Sequence, residues 1–179
     1  HLLSLDISKE LQNNWIGTFS LSGSNDAPAD GYGAIFIGTG YTFKYNSLSL
    51  YPQLKLGMAG GGNIDTGGGL LIHPQIMSHI KFNPIYSISS SLGYIYAPTG
   101  SFSSLQTSLG ITYTALLNKI KKGQSPILTT PKKSPYNITW FIENKSTFPV
   151  KNIHLKSGKD YEDSIQFFGC GASFPLNSF

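Results

Sequence analysis

Two histidines, His73 and His79, come nearest in type and spacing to a chemical site in this chain. Imidazole is a metal ligand, and an even separation of six puts both rings on one face of an extended segment. At ~3.3 Å per residue they stand roughly 20 Å apart, whereas the ligands of one zinc ion each lie ~2 Å from it. They are expected to line a surface, not to share a metal. His154 falls in a connecting segment, and His1 is the first residue of the sequence.

Other chemistry is as thin. No G-x-S-x-G nucleophile elbow occurs, and Gly158-Lys159-Asp160 lacks the upstream glycine and the hydroxyl residue of a phosphate loop. The single cysteine, Cys170, excludes an intramolecular disulfide and a multi-cysteine metal site, and is expected to pack as a small residue in a strand. The run Gly60-Gly61-Gly62-Asn63-Ile64-Asp65-Thr66-Gly67-Gly68-Gly69 has the glycine content of calcium-binding β-roll turns, but in one imperfect copy with Asn63 in a glycine position. A flexible loop folding into or over the mouth of a barrel accounts for it better. Asn137-Ile138-Thr139 and Asn144-Lys145-Ser146 match the glycosylation sequon, a common accidental match. Neither a catalytic residue, nor a metal ligand, nor a cofactor is expected.

The elements that carry these residues alternate with a period of two, the signature of strands with one apolar face. Ile35, Ile37, Tyr41, Phe43 and Tyr45 oppose Ala34, Gly38, Gly40, Thr42 and Lys44. Leu48, Leu50, Leu54, Leu56 and Met58 oppose Ser49, Tyr51, Gln53, Lys55 and Gly57. Leu70, Ile72, Ile76, Ile80 and Phe82 oppose His73, Gln75, His79 and Lys81, with Leu71 and Met77 as exceptions on the polar side. Two further segments, 86–96 and 105–113, obey the same rule, as do 3–10 and 15–22 before them and 136–142 after, while 164–174 does so more weakly. About nine strands are visible.

Their connections alternate in length. Gln12-Asn13-Asn14, Asn46-Ser47 and Asn83-Pro84 read as tight turns, whereas 23–31, 58–69 and 97–104 are long and rich in Gly, Ser, Asp and Pro. Trp15, Tyr45, Phe82, Tyr86 and Tyr113 fall near the short-turn end of their strands, and Tyr94 and Tyr96 at the other, as two aromatic girdles would.

The chain has 179 residues, one domain's worth, of which 40% are hydrophobic and 12% charged, about half the usual charged share. No run approaches the ~18 apolar residues of a membrane helix. All thirteen basic residues are Lys, and five of them (Lys119, Lys121, Lys122, Lys132 and Lys133) lie in a Lys- and Pro-rich insert at 115–135. That insert is expected to be a solvated loop, with a basic surface for anionic lipid as the functional alternative. A nucleic-acid partner is not expected, because no reader motif occurs and arginine's bidentate contacts are missing.

On these strands, turns and girdles the chain resembles the outer-membrane β-barrel proteins of Gram-negative bacteria, in the broad class of small OmpA- and OmpX-like barrels. The resemblance implies an all-β, antiparallel up-and-down transmembrane β-barrel, a single domain over 1–179. An even strand count requires ten or more strands, so the chain is expected to be C-terminally truncated at Phe179. It also implies an outer-membrane location, contact with outer-membrane lipid and lipopolysaccharide, and insertion by the barrel assembly machinery. The oligomeric state is left open.

Gln53, Lys55, His73, Gln75, His79 and Lys81 are the expected lumen lining. Lys55 and Lys81 need counter-charges if that lumen is dry, with Asp6 and Glu10 the first acids on strands; a wet lumen removes the need and favours anions. The function implied is structural, surface-binding or narrow-pore, without catalysis. The alternatives are a soluble barrel holding an apolar ligand inside, with the greasy parity inward, and an outer-membrane lipid-modifying enzyme.

Overall fold

The computed structural model describes residues 2–24, 31–62, 64–83, 85–115, 138–150, 153–154, 160–161 and 165–174. The alternating segments become β1 (Leu2–Glu10), β2 (Trp15–Ser24), β3 (Gly33–Tyr41), β4 (Phe43–Tyr45), β5 (Leu48–Gly60), β6 (Leu70–Lys81), β7 (Tyr86–Tyr96), β8 (Ser103–Ala115), β9 (Ile138–Pro149) and β12 (Ile165–Phe174). Between β9 and β12, β10 (Ile153–His154) and β11 (Asp160–Tyr161) form a small separate ladder, so His154 lies in a strand and not in a loop.

The ring runs β3-β2-β1-β12-β9-β8-β7-β6-β5 and closes through β3 on β5. β3 and β4 both pair β5 and occupy one position, interrupted at Thr42, so the barrel has nine strands. The Thr42 N–H donates to the carbonyl of Asn14, 2.8 Å away, one step beyond the Trp15–Tyr41 pair of β2 and β3. Closure removes every open edge, which would otherwise leave a row of unpaired backbone groups.

The expectation of ten or more strands is corrected here. With nine strands in an up-and-down path, β1 and β12 run in the same direction and meet as a parallel pair, Leu2 opposite Phe167 through Lys9 opposite Phe174. All other ring pairs are antiparallel. Parallel pairing is slightly less stable per residue but satisfies the same donors and acceptors.

Asparagine makes the short turns. Asn13, Asn14 and Asn46 adopt positive φ (56°, 64° and 50°), which this side chain tolerates better than most. Asn83 Oδ1 accepts the N–H groups of Ile85 (2.8 Å) and Tyr86 (2.7 Å). β8 ends at Ala115, at the short-turn end; the remainder of the basic insert lies outside the described residues, as does Phe179.

The apolar parity faces outward and the polar parity inward. Ile37, Met58, Leu109 and Ile111 are 64%, 73%, 65% and 65% exposed, while Asp6, Gln53, Lys55, His73, Gln75 and Glu143 are buried. Large inward side chains sit opposite glycines. A Cβ on Gly38 would come within 2.6 Å of Lys55 Cγ, on Gly93 within 2.5 Å of His73 Nε2, and on Gly110 within 2.7 Å of Glu143 Cβ. A nine-stranded ring is narrow, and these pairings are how long residues fit inside it.

Candidate functional site

Three layers fill the interior. At the long-loop end an apolar plug joins Tyr32, Ala34, Phe36, Ile64, Leu71, Ile95, Ala97 and Phe102. Leu71, an exception to the alternation of its strand, is thereby explained: it points inward with its polar neighbours and is fully buried in the plug. Ile64 comes from the glycine-rich loop, which does fold into the mouth. Burial raises the pKa of the Tyr32 hydroxyl above its ordinary value.

Below the plug lies a charged band. Lys145 Nζ stands 2.5 Å from Asp6 Oδ2 and 2.8 Å from Glu143 Oε1. Lys55 Nζ lies 3.6 Å from Asp6 Oδ1 and donates to Ser20 Oγ at 3.1 Å, and Ser20 Oγ donates to Asp6 Oδ1 at 2.5 Å. Two ammonium groups thus face two carboxylates, which is how buried charges are tolerated. Beside them Gln75 Nε2 donates to Gln53 Oε1 at 3.1 Å, and Gln53 Nε2 reaches Met77 Sδ at 3.4 Å, which gives the second exception on β6 a partner inside the barrel.

Toward the short turns the interior is lined by hydroxyls, among them Ser49, Ser87 and Thr112, and by the ring of His79, 4.8 Å from that of Tyr51. His73 packs instead edge-on to Phe36, 5.7 Å away. Among the described residues no three His, Cys, Asp or Glu side chains converge as a metal site.

Of the expected lumen residues, Gln53, Lys55, His73 and Gln75 are buried inside and His79 is half-buried. Lys81 is exposed, because its position at the end of β6 puts it on the rim; its expected place in the lumen is corrected. Asp6 is the counter-charge of Lys55, but Glu10 sits at the rim 3.8 Å from Lys44. Lys145 and Glu143 join the band from outside the expected lining. The signal was the same alternation carried past Ile142, since Trp140, Ile142 and Phe148 point out and Glu143, Lys145 and Thr147 fall on the other parity. The balanced band removes the basis for an anion preference.

Outside, Trp15, Tyr45, Phe82, Tyr86 and Tyr113 are exposed toward the short turns, joined by Phe43 and Trp140. Trp15 and Tyr41 lie 5.7 Å apart, Tyr41 and Phe43 5.0 Å, and Tyr86 and Tyr113 5.6 Å. At the other end Tyr94 and Tyr96 stack at 5.9 Å. Cys170 also faces outward and is exposed, not packed as expected.

The fold and interior define a class, a closed β-barrel with an ion-paired core and an apolar exterior. No family model matches the chain, and neither a search of curated proteins nor one of solved structures finds a match.

Proposed function

We propose that this protein is a non-catalytic outer-membrane β-barrel of a Gram-negative bacterium, with a structural or surface-binding role and an interior closed at rest. The observation that carries the reading is the outward apolar parity. From β5 through β8 no outward position holds a charged residue, whereas a surface facing water normally carries about 25–35% charged side chains. Such a belt has a favourable environment in hydrocarbon and an unfavourable one in water. Rings at both ends of the strands suit the two interfaces of a bilayer.

The closed interior favours a structural or binding role over a standing pore. With the plug in place the cavity between the plug and the charged band measures about 40 Å³, room for a few waters at ~10–15 Å³ each. Outer-membrane lipid and lipopolysaccharide are the partners this reading implies, with the barrel assembly machinery as the route of insertion.

The test is extraction from membranes followed by electrophoresis in SDS with and without heating. Recovery that needs detergent, a heat-shifted band and no steady conductance in planar bilayers are expected. Full solubility without detergent would overturn the membrane reading, and steady conductance of the native protein would overturn the closed interior.

A further inference from the structure

One side chain of the plug comes from a loop. Ile64 is buried in the plug, and the backbone on either side of Ile64–Thr66 turns at glycines with positive φ, Gly61 (75°) and Gly62 (58°) before it and Gly67 (59°) and Gly69 (82°) after it. Glycine takes this backbone conformation without strain, and small loop residues are where hinges are often found. Bonds to the opposite loop at 97–102 hold the Ile64 loop down. Phe102 N–H donates to the Asp65 carbonyl (3.3 Å), Ser101 N–H to Asp65 Oδ2 (3.2 Å) and Gly68 N–H to Thr99 Oγ1 (3.0 Å). The last is exposed, and the second only partly buried. Solvent can replace bonds of this kind at little cost.

Beneath the plug the chemistry changes at once. Tyr32, Phe36 and Phe102 form one side of the cavity, and Asp6, Lys55 and Lys145 another. Two buried groups that line it, Ser4 Oγ and His73 Nε2, have no hydrogen-bond partner in the protein. Buried polar atoms of this kind are ordinarily satisfied, so the chamber has unused capacity for water or a hydrophilic solute. An apolar constriction over a polar chamber is a barrier to water and ions for as long as it stays shut.

We propose that the segment Ile64–Gly69 is a lid over a hydrophilic chamber, and that its release admits small hydrophilic solutes of either charge from the long-loop mouth. The lack of charge preference follows from the band, where Lys55 and Lys145 are matched by Asp6 and Glu143. The lid goes beyond the membrane reading and does not depend on it, since it concerns the mouth and interior alone.

The experiment places a thiol in the chamber of the full chain. Ser4→Cys is nearly isosteric, and Cys170→Ala removes the native thiol. Labelling of the purified protein is followed with small methanethiosulfonates, one an ammonium and one a sulfonate. Asp65→Ala should label roughly tenfold faster than its parent with both reagents, the gain expected when latch bonds leave an opening equilibrium. Thr99→Ala, which removes one exposed latch bond, should shift in the same direction by less. It carries the test if Asp65→Ala fails to fold, read as loss of its β-sheet circular dichroism. Unchanged rates in folded variants would overturn the lid, as would a parent whose Ser4→Cys thiol labels as fast folded as it does in the heat-unfolded chain. A gain confined to one reagent would overturn the charge-neutral chamber.

Discussion

Lys145 Nζ and Asp6 Oδ2 lie 2.5 Å apart although their strands are not neighbours, β12 running between β9 and β1. The bridge crosses a stretch of β12 where Gly169 and Gly171 oppose Ser4 and Asp6 in the parallel pair. A Cβ on Gly169 would meet Ser4 Oγ and approach Glu143 Cγ to 3.3 Å, and one on Gly171 would strike the Phe141 ring. The absence of side chains at these positions leaves room for β9 to reach β1. The ion pair therefore ties together the three strands at the parallel junction.

Removing the shared acid should be costly. Asp6→Ala leaves Lys145 with Glu143 alone and Lys55 without its nearest acid, and loss of one partner from a buried pair costs about 3–5 kcal/mol. Urea unfolding in detergent micelles should show that loss; a change below about 1 kcal/mol would mean that water already screens the band.

The bridge should also behave as a unit. In a cycle of Asp6→Asn, Lys145→Gln and the double variant, the coupling should fall in the range of about 0.5–3 kcal/mol found for residues in one network. Additive effects would show that the two groups act independently.

Glycine positions separate crowded from open wall. Gly110→Val would press on Glu143 Cβ at 2.7 Å and the Ile142 carbonyl at 2.6 Å, and overpacking of this kind typically costs about 1–3 kcal/mol. Gly60, with nothing within 4 Å of an added Cβ, should accept alanine. The melting temperature of the heat-shifted band compares them directly.

The outer face offers a test by sign. Leu109→Lys on the exposed parity should destabilise a barrel in lipid by about 2–4 kcal/mol near the midplane. In a water-soluble barrel the same change would be close to neutral, as surface changes away from special features usually are. Refolding equilibria in phospholipid vesicles read the difference.

Cys170 gives a second view of that face. It faces outward opposite Leu5 on β1 and Ile142 on β9. In intact vesicles it should resist a membrane-impermeant maleimide and react once the protein is unfolded in hot SDS. Prompt labelling in the intact vesicle would mean that this part of the belt meets water.

Alternation carried most of the fold. It set the strands, the inward parity and the placement of Gln53, Lys55, His73 and Gln75, because a period of two fixes which face a residue takes once any neighbour's face is known. The closure was not legible in that way. Periodicity is local, whereas the pairing of β1 with β12 joins residues more than a hundred and fifty positions apart and depends on the ring's total count. An even count is what antiparallel pairing throughout would need, and the ring closes with nine strands through a parallel pair instead. Glu143 and Lys145 are harder to read, because outward Asn144 and Ser146 blur the alternation after Ile142 before Phe148 restores it. The plug was hidden differently. Leu71 and Phe36 break the polar parity, and only the fold shows that both breaks fall at the same mouth.

The parallel pair has a topological consequence. A ring with an odd number of strands begins at one rim and finishes at the other: β1 starts among the long loops, and β12 finishes among the short turns. Were the barrel set in a sealed vesicle, epitopes fused before β1 and after β12 would be sided, one in the outer medium and one in the enclosed volume. A protease added outside would then clip one and spare the other, and which one survives would report the orientation of insertion.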